Sequence, residues 1–125
     1  IDVAVSTVAR HPRVRAWVTD RLREVQGSFV IDGRDMGTAV FPHARVKFFL
    51  TADPEIRAAR RAGERSGELR QIAERLRKRD EQDARQSAPA PDAIFIDTGT
   101  LTLGQVVDEV LSRVQAVLPA GLDER

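Results

Sequence analysis

The strongest candidate for chemistry is a short polar segment rich in charge and glycine. Residues 32–38 read Asp-Gly-Arg-Asp-Met-Gly-Thr and directly follow the apolar run 29–31. Glycine permits backbone angles and close ligand approaches that other residues do not, and the Arg34 guanidinium offers a charged fork for a phosphate. Asp32 and Asp35 could hold a metal's water, orient Arg34 or accept a hydrogen bond from a base. A strand-ending turn with an Asp–Arg pair that aids solubility explains the same residues equally well.

A second group of charged residues lies near the end of a predicted helix. Arg79 and Asp83 are four positions apart and therefore share a helix face. Four earlier arginines follow helical spacing and could contact a polyphosphate: Arg57, Arg60, Arg61 and Arg65. From spacing alone, solvated faces explain both groups better, because an exposed ion pair contributes at most about 1 kcal/mol.

The elements that must position these side chains alternate between short apolar runs and amphipathic stretches. Runs over 29–31, 46–50 and 93–96 predict strands, and unbroken apolar runs are typical of a parallel sheet covered on both faces. The pattern therefore predicts an α/β fold with flanking helices. In such folds, ligands bind beyond the carboxyl ends of the strands, where the segments 32–35 and 97–99 are expected.

Local signals predict where the helices begin and end. Apolar spacing favours a helix over 12–26, with the aromatic Trp17 in the core and Gly27 as the stop. Asp53-Pro54-Glu55 is typical of a helix start. A charged helix is predicted around 69–76. Thr102 and Gln105 predict a capping box, followed by a helix whose wide apolar stripe favours packing against a sheet.

The composition restricts the class of protein. The chain of 125 residues has 20 lysines and arginines against 19 acids, so a net charge of +1 argues against a general nucleic-acid or membrane-surface binder. The absence of cysteine excludes a disulfide framework and a thiolate metal site. The sequence has neither an apolar run of about 20 residues nor a signal-peptide pattern. We therefore expect a cytoplasmic domain with a core of reasonable size and no metal site of its own.

Taken together, these segments resemble bacterial cytidylate kinase, of the nucleoside-monophosphate kinase family. The matching segments cover nearly the whole chain in order: Val5–Ala9, Pro12–Arg15, Ile31–Pro42, Val46–Leu50, Arg60–Arg61, Arg79–Asp83, Ala88–Pro89 and Asp92–Ala93. The resemblance implies a fold of the P-loop NTPase type and transfer of a phosphoryl group from ATP, with Mg²⁺, to CMP or dCMP. It also implies that residues 1–125 form one domain with a short lid at about 60–79, where Arg60 and Arg61 would face ATP.

The resemblance also implies a role for each matching residue of a CMP site. Arg34 would hold the CMP phosphate, and Asp32 would lie near the phosphate and the metal. Arg15 and Asp35 would contact the cytosine ring. The remaining implied residues are Ser6, Arg79 and Asp83 near the pentose, and Arg85 as the candidate for an arginine that reaches the base. Of these residues, Arg34, Asp32 and Arg79 are the expected catalytic residues.

One motif of the family is missing. The phosphate-binding pattern GxxxxGK[ST] requires a Gly-Lys pair, and no glycine in this sequence precedes a lysine. That loop wraps the ATP phosphates with backbone N–H groups and its lysine, and in the family its strand lies between the strands that correspond to 29–32 and 46–50. We therefore expect a C-terminal piece of a longer protein that supplies mainly the CMP side and is inactive without its N-terminal part.

Two other functions fit parts of the sequence. A non-catalytic nucleotide-binding or regulatory module could use the same CMP pocket and would bind CMP unaided. A nucleic-acid binder could use the basic stretch 57–85, although ten lysines and arginines there against six acids make only a modest excess. Partners are therefore expected to be CMP or dCMP and ATP, with no nucleic acid and no membrane.

Overall fold

The fold is an α/β arrangement of five α-helices, one π-helix and two strands in the part of the chain that a computed structural model describes, residues 2–64, 69–83 and 88–118. The elements in chain order are α1 (Asp2–Arg10), α2 (Pro12–Arg23), the π-helix (Met36–Val40), β1 (Phe48–Thr51), α3 (Pro54–Glu64), α4 (Leu69–Asp83), β2 (Ile94–Asp97) and α5 (Leu103–Gln115).

The two strands lie parallel, so the predicted strands over 46–50 and 93–96 are confirmed with small shifts of their bounds. Their register pairs Phe48 with Ile94 and Thr51 with Asp97. The ladder continues at its carboxyl end, where the Thr98 amide donates to the Thr51 carbonyl at 2.8 Å. Helices α3 and α4 pack on each other and form the crossover between the strands. Parallel neighbours require such a crossover, which confirms the α/β prediction.

The strand predicted over 29–31 is wrong for this chain. These residues form no strand, and Val30 is 95% exposed. A strand exists only where a neighbour accepts and donates its backbone hydrogen bonds, and within the described residues β1 pairs with β2 alone. The apolar run is therefore present without a sheet partner.

The helix starts agree with the sequence signals. The Glu55 amide donates to Asp53 Oδ1 at 2.9 Å at the start of α3. At α5, the Thr102 hydroxyl accepts from the Gln105 amide at 3.2 Å, and Gln105 Oε1 accepts from the Thr102 amide at 2.8 Å, which confirms the capping box. Helix α2 ends at Arg23, three residues earlier than predicted, and Gly27 then adopts a positive φ of 83°.

The core is smaller than the composition suggested. The buried apolar residues among those described are Val40, Ala58, Leu76, Ala90 and Ile96. Trp17, expected in the core, is 63% exposed, and α5 buries no residue although its stripe predicted packing against a sheet. A sheet of two strands offers too little surface to cover these faces. In the described residues, no helix is long and apolar enough to cross a membrane.

Candidate functional site

The site begins with an ion pair between two residues that are 20 positions apart in the sequence. Arg15 lies in the first turns of α2, and its Nη2 donates to Asp35 Oδ2 at 2.6 Å. The Asp35 side chain is 20% exposed and that of Arg15 39%, so solvent reaches the pair only in part. Charge-assisted bonds of this length are strong and directional, and this one fixes the start of the π-helix against α2.

The π-helix is nucleated at Asp35 itself. Its backbone carbonyl accepts hydrogen bonds from the amides of Thr38, Ala39 and Val40, at 3.3, 2.9 and 3.2 Å. Short insertions of π-helix are frequent at functional sites. The sequence predicted only a glycine-containing turn here, so the π-helix is a feature that sequence reasoning missed.

Both glycines of the segment lie close to neighbouring side chains. A Cβ on Gly33 would come within 2.7 Å of the Met36 side chain, so that side chain would have to move, and one on Gly37 would come within 3.1 Å of Cδ of Lys47. The segment is therefore folded tightly against its own neighbours.

A cleft of about 490 Å³ opens beside the ion pair. Its walls are mostly small and medium apolar side chains of α1, α2 and the π-helix, including Val8, Val14, Val18 and Met36. Arg15 and Asp35 are the charged residues of its lining. Ligand pockets combine apolar walls with a few polar groups that fix orientation, and the volume suffices for a nucleotide base.

Asp32 and Arg34 lie on the chain segment just before Asp35, which lines the cleft, and both are exposed. Arg34 directly precedes Asp35, and Gly33 separates it from Asp32. The structure thus brings Arg15 to Asp35, with Arg34 and Asp32 on the adjoining segment.

Arg60 belongs to a different group of residues, at the carboxyl ends of the strands. Its Nη1 donates to the Thr98 hydroxyl at 3.0 Å and its Nη2 to the Thr98 carbonyl at 2.5 Å. The Thr98 hydroxyl in turn donates to the Thr51 carbonyl at 3.1 Å, and Arg57 Nε donates to the Ala52 carbonyl at 3.2 Å. Arg60 is exposed, as the interpretation of a solvated face predicted, but both Arg57 and Arg60 also tie α3 to the strand ends, which spacing alone did not predict.

The other predicted site residues are described less fully. Arg61 lies exposed on α3. Ser6 lies in α1, and Arg79 and Asp83 lie in the last turns of α4, but their side chains are outside the described part of the structure. Arg85 lies outside the described residues altogether. Their proposed roles therefore rest on the sequence.

Two residues near the site carried no role in the sequence analysis. Arg23, the last residue of α2, donates to the backbone at the end of the π-helix. The Lys47 side chain is only 8% exposed, and its Nζ donates to the Pro42 carbonyl at 2.6 Å and to Asp92 Oδ1 at 2.9 Å. The hydrogen bond from Lys47 holds the pKa of the Asp92 carboxyl below its ordinary value of 3.8. The sequence feature that could have drawn attention to Arg23 is its position on the same helix as Arg15, eight residues or about two turns later.

No three histidine, cysteine, aspartate or glutamate side chains come together as a metal cluster in the described ranges. Mg²⁺ commonly binds through only one or two carboxylates plus substrate phosphates, so a nucleotide-bound Mg²⁺ needs no such cluster.

The architecture and the site together define an α/β protein with the Arg15–Asp35 pair beside an apolar cleft. Two further arginines, Arg57 and Arg60, lie at the strand ends. Comparison with known proteins gives the family. The cytidylate kinase family model matches residues 1–116. The chain therefore belongs to the cytidylate kinase family, whose fold is of the P-loop NTPase type.

Individual relatives agree with this assignment. The chain is 56% identical to a cytidylate kinase of Thermus thermophilus over 92% of its own length and 55% of the relative. It is 54% identical to a cytidylate kinase of Deinococcus radiodurans over 91% of the chain and 55% of the relative. A cytidylate kinase of Streptomyces avermitilis is 43% identical over 89% of the chain and 52% of the relative. The chain thus spans about half the length of the curated relatives that it matches.

Proposed function

We propose that the protein to which this chain belongs is a cytoplasmic enzyme that transfers the γ-phosphoryl group of ATP to CMP or dCMP. Residues 1–125 supply mainly the CMP side of its site, and the N-terminal part of the same protein supplies the ATP-binding loop. The observation that carries the proposal is the Arg15–Asp35 ion pair, at 2.6 Å, on the wall of the apolar cleft and next to Arg34. Family membership supports it independently.

In this proposal the cleft receives the cytosine base. Its valines and Met36 bury the faces of the ring, while the polar pair meets the ring's hydrogen-bonding edge. The exocyclic amino group of cytosine is a donor, and the Asp35 carboxylate is an acceptor already oriented by Arg15. Ser6, Arg79 and Asp83 are the proposed contacts to the pentose, and Arg85 is the proposed additional contact to the base.

The transfer itself requires positioning and charge compensation more than covalent work by the protein. Arg34 would hold the acceptor phosphate, and Asp32 and Arg79 would act beside the reacting groups. Arg60 and Arg61 would face ATP from the lid edge. Mg²⁺, bound with the ATP phosphates, would offset their negative charge, and Asp32 is the proposed carboxylate on its side of the site.

A chimera tests this function without requiring knowledge of the missing part. Residues 1–125 replace the region that they match in the Thermus thermophilus relative, and ATP consumption is measured with CMP in a coupled assay. We expect CMP-dependent turnover by the chimera and none by residues 1–125 alone. A folded chimera without CMP-dependent turnover would contradict the proposal, as would robust turnover by the isolated chain.

The alternative is a non-catalytic nucleotide-binding module. Such a module would use the same cleft, and the absence of any Gly-Lys pair from the sequence is compatible with it. Calorimetry distinguishes the two, because a module binds CMP unaided, whereas a half-site binds poorly until the remaining part is restored.

A further inference from the structure

The last residue of α2 is bonded to the last residues of the π-helix. Arg23 Nε donates to the Val40 carbonyl at 2.9 Å, and its Nη2 donates to the Ala39 carbonyl at 3.0 Å. Carbonyl groups at the end of a helix lack intrahelical partners. The planar guanidinium satisfies two of them at once through two separate nitrogens held in a fixed fork.

This contact is the second of two that join the same pair of elements. Arg15 binds Asp35 at the start of the π-helix, and Arg23 binds its end. The two arginines are eight residues apart on α2, about two helical turns. Between them, side chains from both elements line the cleft, among them Val18 and Met36. The orientation of α2 against the π-helix is therefore fixed at both ends of the cleft.

We propose that Arg23 is a positioning residue for recognition of the CMP base, an inference that rests on the proposed function. Arg23 is not in the lining of the cleft and acts through the backbone of the segment that carries Asp35. Without it, the Arg15–Asp35 ion pair still joins α2 to this segment. The segment would then be held to α2 at its start alone, so its end and the Val40 wall of the cleft would lose their fixed spacing from α2.

Steady-state kinetics of the chimera test this role. In Arg23→Met, we expect the KM for CMP to rise roughly fivefold, the effect of a lost hydrogen bond of ordinary strength, with the KM for ATP almost unchanged. Arg23→Lys should recover part of the loss, since lysine reaches one carbonyl. Arg21→Met is the matched control, because Arg21 contacts Glu24 and Trp17 at the same end of α2.

Hydrogen exchange of the chimera gives a measurement that needs no catalysis. The Ala39 and Phe41 amides, bonded to the Asp35 and Met36 carbonyls, should exchange faster in Arg23→Met and at the parent rate in Arg21→Met. Equal exchange in both variants would overturn the positioning role, as would equal rises in the KM values for CMP and ATP. A chimera with no CMP-dependent turnover would contradict the proposed function, and the exchange rates would still decide whether Arg23 holds the segment.

Discussion

Asp35 has two tasks in the structure that use different atoms. Its backbone carbonyl accepts three amides and starts the π-helix, while its carboxylate binds Arg15 beside the cleft. Substitution of the side chain therefore alters the contact with Arg15, while the backbone carbonyl that starts the π-helix is retained.

Asp35→Asn should weaken the preference of the enzyme for CMP over UMP. In the proposed site the carboxylate accepts from the amino group of cytosine, whereas uracil presents an acceptor at the same position. Because a site built around one hydrogen-bonding pattern discriminates by about 1–3 kcal/mol per contact, we expect the ratio of kcat/KM values to fall by roughly tenfold or more. The ratio is measured with both nucleotides in the chimera. An unchanged ratio would exclude Asp35 from base recognition.

At the scale of elements, Lys47 connects three of them. Its ammonium group binds the carbonyl of Pro42 after the π-helix and the Asp92 carboxylate before β2, while its backbone carbonyl accepts from the Ile94 amide at 2.8 Å. Its stem also packs against Gly37. Lys47 thus joins the start of the sheet to the segment that carries the candidate site.

The ion pair of Lys47 and Asp92 predicts a specific dependence of stability on pH. Folding lowers the pKa of Asp92 below 3.8. The contribution of the ion pair to the free energy of unfolding is therefore complete above pH 3.8, and it is lost as the pH falls through the lower pKa of the folded state. Asp92→Asn should therefore be less stable than the parent at pH 7, and the difference should shrink below about pH 3.8. Urea unfolding across pH measures this, with Asp108→Asn, an exposed carboxylate of α5, as control. A difference that persists unchanged at low pH would contradict it.

Contacts between residues near each other in the sequence could be predicted, whereas contacts between distant elements could not. The caps at Asp53 and Thr102 were predictable because each involves residues two or three positions apart. The strand over 29–31 was not, because its apolar run is local but its hydrogen-bonding partner is not. Likewise, spacing alone could not bring Arg15 to Asp35 across 20 residues; the resemblance to a family implied only that both contact the same base, and the ion pair between them was not predicted.

At the scale of the whole molecule, several large apolar side chains of the described residues are exposed: Val30, Leu103 and Phe95 are 95, 81 and 60% exposed. Within those residues the sheet has two strands, which leaves little sheet surface to cover them. A core of this size also explains why composition overestimated burial, since hydrophobic content indicates what can be buried only when partner surfaces are available.

The central claim of the proposed function is that Arg34, on the segment beside the cleft, holds the phosphate of a cytosine nucleotide. Calorimetric titration of the chimera with CMP and with cytidine, which lacks the phosphate, tests it most directly when repeated on Arg34→Met. We predict that the substitution weakens the binding of CMP at least tenfold, as expected for a charged hydrogen bond, and leaves the binding of cytidine almost unaffected. Equal weakening of both ligands, or no weakening of CMP, would contradict the account.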